Sequence, residues 1–183
     1  SGSTGRPKGV MLTHGTFGNY ACIEQHMTNM TAADRVLQTQ TLSFVAGFHE
    51  CFRGLLSGGT LVMGSPAISG LGPDLVEWID QHGITVFKAV PSLLRTLVVP
   101  RRGGGTLMPR LRLLHVGGEP VTQELVDHFW APHRMFLNTY GSTETCSNCL
   151  IGECMRGKPV SIGTALPTMF SVVLDAEGRE ASA

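Results

Sequence analysis

Ile84-Thr85-Val86-Phe87-Lys88-Ala89-Val90-Pro91-Ser92 carries a strand into a helix. Ile84 to Val90 is the strand. Pro91 opens a helix that runs to about Val98, because a proline at the first helical position gives up only an N–H that has no intrahelical partner. The same alternation extends in both directions. Toward the N-terminus, His14 to about Met30 is compatible with a helix, Val36 to Thr41 alternate as a short strand, and Gly47 to Leu56 suits a helix. Gly58 to Gly64 is an apolar run bounded by glycines, the mark of a buried strand. Gly72-Pro73 starts a further helix in which Leu75, Val76, Trp78 and Ile79 recur at helical spacing. Toward the C-terminus, Arg101 to Gly105 is a loop and Leu111 to Val116 a strand, and Leu125, Val126, Phe129 and Trp130 mark a helix. Arg134 to Thr139 is the last clear strand before a glycine loop, and Val172 to Leu174 is a strand-like run near the end. Strands alternating with helices predict βαβ units, hence an α/β fold with a mostly parallel sheet flanked by helices.

The chain has 183 residues, 42% hydrophobic and 15% charged, with 14 Lys and Arg against 14 Asp and Glu. That balance excludes a disordered chain, a polybasic nucleic-acid binder and an acidic tail. No apolar run approaches the roughly 20 residues of a membrane span, and no basic-then-apolar leader opens the chain. Neither nucleic acid nor membrane is therefore expected as a partner. The 23 glycines suggest tight turns and close backbone approaches, as in ligand-binding α/β proteins. Five cysteines, an odd number without a familiar disulfide or zinc-ribbon spacing, point to a reduced, cytoplasmic setting. Cys146-x2-Cys149-x4-Cys154 lacks a fourth ligand and a second chelating pair, so it is read as incidental. The chain opens without an initiator Met and closes just after a strand-like run, and a piece of a longer protein is expected.

Two motifs carry chemistry. SGSTGRPKG at Ser1 to Gly9 supplies bare N–H groups, short hydroxyls and a lysine, which a phosphate-holding loop needs. It is no Walker loop, since Pro7 precedes Lys8 and Gly9 follows it. NTYGSTE at Asn138 to Glu144 directly follows a strand, where α/β sheets hold ligands. It offers an aromatic ring for a purine, a hydroxyl for phosphate and a carboxylate for Mg²⁺. Alone, each is more often an ordinary loop or turn.

Together, in order and about 130 residues apart, SGSTGRPKGVMLTH and NTYGSTET resemble the adenylate-forming superfamily. Its members include the adenylation domains of nonribosomal peptide synthetases, acyl-CoA synthetases and luciferases. VGGEPV at Val116 to Val121, KPVSIGTALPT at Lys158 to Thr168 and VVLDAEGRE are similar to further motifs of peptide-synthetase adenylation domains. The resemblance implies that residues 1–183 are a partial adenylation core, with an upstream part and a C-terminal lid domain outside the chain, and that this piece alone is inactive. The cofactors implied are ATP and Mg²⁺. Ser3, Thr4, Gly5 and Lys8 would handle the β- and γ-phosphates, and Gly117, Gly118 and Glu119 would turn beside adenine. Tyr140 would stack on adenine, with Asn138 and Gly141 beside it, Thr143 would hold the α-phosphate and Glu144 would bind the metal. Thr143, Glu144 and Lys8 are thus the expected catalytic groups.

By the same resemblance the acyl pocket would be lined by Val45, Ala46, His49, Lys88, His115, Gly117, Thr139, Ser147 and Asn148. Family members that take amino acids place an aspartate where this chain has Val45. A buried α-ammonium without that partner is poorly compensated, so an acid lacking an α-amino group is expected: a keto, hydroxy or dicarboxylic acid. Lys88, with His49 and His115, would make a cationic or strongly donating pocket. The expected partners are the acid, the rest of the adenylation domain, a carrier protein bearing phosphopantetheine or else coenzyme A, and a small MbtH-like activator. Two readings compete with a peptide-synthetase domain: a freestanding acyl-CoA synthetase, and a degenerate adenylation-like structural platform.

Overall fold

The computed structural model describes residues 9–64, 67–68, 72–99 and 106–181. Thr13 caps α1 (His14–Met27), its hydroxyl accepting the Thr16 N–H. The helix stops short of the expected Met30 because the Thr28 hydroxyl takes the Glu24 carbonyl and Asn29 turns to φ 48°. β1 (Arg35–Gln38) also ends early. The next two N–H groups, of Thr39 and Gln40, go to the Glu50 carboxylate at 3.1 Å instead of to a strand. Glu50 belongs to α2 (Val45–Leu56), which begins two residues before Gly47. β2 (Thr60–Met63) lies within the expected run, and α3 (Asp74–Gln81) follows Pro73. β3 (Val86–Ala89) and α4 (Pro91–Thr96) realise the strand–proline–helix reading, each trimmed by a residue or two. β4 (Leu113–Gly117), α5 (Gln123–Phe129) and β5 (Met135–Tyr140) complete the alternation; Trp130 falls just outside its helix.

The sheet runs β2-β1-β3-β4-β5 in parallel and continues antiparallel through β6 (Leu150–Glu153) and β7 (Thr164–Ala165). This antiparallel edge departs from the expected pattern. The run at Val172 to Leu174 forms a single bridge, Leu174 to Glu180, and no strand. The α/β class with a mostly parallel sheet holds.

Alternation along each strand sorts the side chains. Leu37, Phe87, Leu114 and Phe136 pack with α3, α4 and α5 through Leu75, Ile79, Leu94, Leu125 and Phe129. Val36, Val86, Leu113 and Leu137 face the other way, with Tyr20 of α1 among them. Two residues further on, that second face turns polar. Lys88 follows Val86, His115 follows Leu113 and Thr139 follows Leu137, all at the carboxyl ends of the strands. At the opposite ends, polar groups are consumed: Arg134 donates to the Leu111, Phe129 and Met108 carbonyls, and Arg112 pairs with Asp34. No helix among the described residues is long and apolar enough to cross a membrane.

Candidate active site

Two cavities open where β3, β4 and β5 end, and they share Gly118, Thr139 and Gly141. One, of about 360 Å³, reaches under the start of α2 and is walled by Val45, Ala46, Lys88, Gly117, Ser147 and Asn148, with Thr143 at its edge. The other, of about 400 Å³, is walled by Glu119, Asn138 and Tyr140 and by the Val160 to Ile162 segment. Of the expected acyl residues, Val45, Ala46, Lys88, Gly117, Thr139, Ser147 and Asn148, and of the expected nucleotide residues, Gly117, Gly118, Glu119, Asn138, Tyr140, Gly141 and Thr143, line these two cavities. Ser3, Thr4, Gly5 and Lys8 lie outside the described residues.

Close backbone approach fixes the junction. A Cβ on Gly117 would lie 2.4 Å from the Thr139 carbonyl, and one on Gly141 would lie 1.7 Å from that of Ser147. Both positions need glycine. Beyond Gly141 the chain folds into a tight turn. Ser142 N–H donates to the Thr145 hydroxyl, Ser147 N–H to the Ser142 carbonyl and Cys149 N–H to that of Tyr140. Cys146 and Ser147 accept φ values of 58° and 99° to close it. Thr143 and Glu144 are left exposed at its tip, and Tyr140, 57% exposed, stands at the rim of the larger cavity.

Asn138 does not point freely at a ligand, because its amide donates to the Ser161 carbonyl at 2.9 Å. Glu119 likewise has a structural task. Its carboxylate accepts the Ser92 N–H at 2.9 Å and the Ser92 hydroxyl at 2.7 Å, supplying an acceptor to the first turn of α4. Its backbone still walls the cavity. Among the described residues no three His, Cys, Asp or Glu cluster as a metal cage. Magnesium in phosphate sites is held by one or two carboxylates plus the phosphates themselves, so the carboxylate of Glu144, on an exposed loop, fits that ion.

The histidines differ from expectation: His49 and His115 lie behind the acyl cavity rather than in its wall. There α1 and α2 enclose a polar core. Arg53 donates to both oxygens of Glu24, and the Tyr20 hydroxyl donates to Glu24 at 2.9 Å. Asn148, in the cavity wall, donates to that hydroxyl at 2.7 Å. Burial alone would push the Glu24 carboxyl up, but Arg53 beside it holds it well below the usual carboxylate range. Burial, followed by the Arg53 charge, holds His115 well below the usual histidine range. Burial brings His49 down to about 4; its ring packs 4.3 Å from that of Tyr20. Both histidines are neutral at pH 7, so of the expected cationic or strongly donating group Lys88 alone brings a charge to the pocket. Lys88 remains, lowered to about 8 by burial and then by Arg53. Among the described residues it is the one charged side chain lining the acyl cavity, and no carboxylate does.

Sequence reasoning missed Gln40, Val90 and Ser142 in the acyl wall and the whole Glu24–Arg53 pair. Ser161 and Ile162 stand inside the quoted KPVSIGTALPT stretch, which was a usable signal. Glu24 and Arg53 read as ordinary charges on helices, and nothing local marks them.

Two cavities that share wall residues thus lie at the carboxyl ends of a parallel sheet, one rimmed by an aromatic ring and the other lined by no carboxylate, where α/β folds hold ligands. The chain belongs to the AMP-binding enzyme family, whose model matches residues 1–183, and so to the adenylate-forming enzymes. It is 34% identical over 177 residues to the delta-poly-L-ornithine synthetase of Acinetobacter baumannii, covering 97% of this chain and 13% of that protein. It is 37% identical over 177 residues to a linear gramicidin synthase polypeptide of Brevibacillus parabrevis, covering 96% of this chain and 2% of that protein. Among solved structures, the O-succinylbenzoate coenzyme A synthetase of Bacillus subtilis in complex with ATP and magnesium superposes with a TM-score of 0.81 at 25% identity. That match covers 100% of this chain and 37% of that one. The chain thus spans a minor part of each of these relatives.

Proposed function

We propose that this chain is the partial core of an adenylation domain, the upstream part and the lid domain lying elsewhere in a longer protein. The domain activates a carboxylic acid with ATP. A carboxylate oxygen attacks the α-phosphorus, the bond to the leaving pyrophosphate breaks, and an acyl-AMP forms. The observation that carries this reading is the junction of the two cavities at Gly118, Thr139 and Gly141, beside Thr143 and Glu144. A nucleotide on the Tyr140 side and an acid on the Lys88 side would meet there.

In this reading Tyr140 stacks on adenine, the Thr143 hydroxyl donates to the α-phosphate and Glu144 holds the metal. Bound there, magnesium would neutralise charge on the phosphates. Ser3, Thr4, Gly5 and Lys8 would hold the β- and γ-phosphates. The remaining work is positioning, which the tight Gly141 to Ser147 turn supplies. Val45, and a wall without carboxylates, support an acid that lacks an α-amino group.

The acyl group then passes to the phosphopantetheine thiol of a carrier protein in the cytoplasm, with an MbtH-like protein as a further partner. Likeness to a coenzyme A synthetase favours a second reading, in which coenzyme A is the acceptor. Acid-dependent ATP–pyrophosphate exchange by the full-length protein, across amino, keto, hydroxy, dicarboxylic, fatty and aryl acids, tests adenylation. Thioester formation on carrier or coenzyme A separates the acceptors. No ATP binding at all would favour a structural platform.

A further inference from the structure

We infer, resting on the adenylation reading, that the acid is a dicarboxylate whose second carboxylate pairs with the ammonium of Lys88 inside the acyl cavity. Lys88 is 6% exposed and makes no hydrogen bond or ion pair with the described residues, although it lines a cavity of about 360 Å³.

Every charged or titratable group around it is committed elsewhere. From α1, Glu24 is held by two Arg53 nitrogens and by the Tyr20 hydroxyl. From α2, Glu50 accepts the Thr39 and Gln40 N–H groups and the Gln40 side-chain amide. Arg53 is itself a like charge that lowers the Lys88 pKa. His49 on α2 and His115, the partner of Lys88 across the β3–β4 ladder, are neutral at pH 7. Glu24 and Glu50 attract Lys88 and Arg53 repels it, but neither carboxylate bonds to it, so the hydrogen-bonding capacity of the buried ammonium is left for the ligand in the cavity. A keto or hydroxyl oxygen would give it only a neutral acceptor. A carboxylate gives a charge-assisted hydrogen bond, roughly twice as strong as a neutral one. Of the three acid classes that Val45 allows, the dicarboxylate is the one that completes this wall.

The test uses the full-length protein and pairs each short α,ω-dicarboxylic acid with its half-amide of equal length. Pyrophosphate exchange is expected to favour the diacid about 100-fold in kcat/KM. In Lys88→Met, and in Lys88→Gln as a second variant, that ratio falls to near one, with ATP binding measured alongside to verify folding. Direct calorimetric binding of the diacid keeps the inference separate from the adenylation reading. Diacid binding that depends on Lys88, without exchange, would support the inference and sink adenylation. Equal exchange of diacid and half-amide, an unchanged ratio in the variants, or exchange with other acids and no diacid binding would overturn the inference and leave adenylation standing. Neither exchange nor binding would overturn both.

Discussion

Arg53 on α2 grips Glu24 on α1 through two nitrogens, Nη2 to Oε1 at 2.5 Å and Nε to Oε2 at 3.2 Å, and both side chains are sealed from water. A buried pair of this kind is costly to break from one side, because the survivor keeps its charge without a partner. Glu24→Gln is therefore expected to cost about 3–5 kcal/mol of folding stability. Replacing both, as Glu24→Leu with Arg53→Met, should recover most of that. Denaturant unfolding of the three variants checks it, and a loss below about 1 kcal/mol in the single variant would contradict the pair's role.

Acid should weaken the fold in two stages. His49 titrates near 4 in the folded chain against an ordinary 6.5, so below pH 6.5 the unfolded chain binds a proton that the folded chain refuses. Stability then falls by about 3 kcal/mol between pH 6.5 and pH 4, and His115 adds in the same direction. Glu24, lowered from an ordinary 4.5, stabilises fully above that pH and loses its contribution as pH falls further. Unfolding curves from pH 7.5 to 4 read the slope. His49→Phe should flatten its upper part, and a profile already flat in the wild type would refute the assignment.

Gly141→Ala tests the turn that carries Thr143 and Glu144. Its new methyl would fall 1.7 Å from the Ser147 carbonyl, so the turn must move. A displacement of about 1 Å in positioning groups costs on the order of 100-fold in rate. Pyrophosphate exchange should drop by that factor while ATP binding, which also draws on Tyr140 and the Val160 to Ile162 wall, falls less. Equal losses in both would place the fault in global folding.

In the proposed function Glu119 is a structural carboxylate and Glu144 a chemical one. Glu119→Gln should cost about 1 kcal/mol of stability by weakening the acceptor at Ser92, with the KM for ATP nearly unchanged. Its contact with Arg95, at 3.7 Å and exposed, adds little. Glu144→Gln should lower exchange by about 100-fold and raise the Mg²⁺ concentration required. A reversed pattern would exchange the two roles.

The strand–helix alternation, the mostly parallel sheet and the place of Tyr140 and Thr143 after a strand were legible along the chain. Apolar periodicity and the Pro91 start are local signals, and neighbouring residues alone produce them. β6 and β7 were not legible, because four and two residues with a glycine carry too little pattern, and only pairing against Tyr140 and Leu150 makes them strands. β1 ends at Gln38 instead of Thr41 because a carboxylate ten residues away, on Glu50, takes the N–H groups that would have continued it. The site divides in the same way. That Lys88, His49 and His115 belong near one pocket is implied by motif order. That Lys88 faces the cavity while both histidines are buried and uncharged behind it depends on how Glu24 and Arg53 meet between two helices. Charge state is set by burial and by neighbours distant in sequence, and those exist only once the chain has folded.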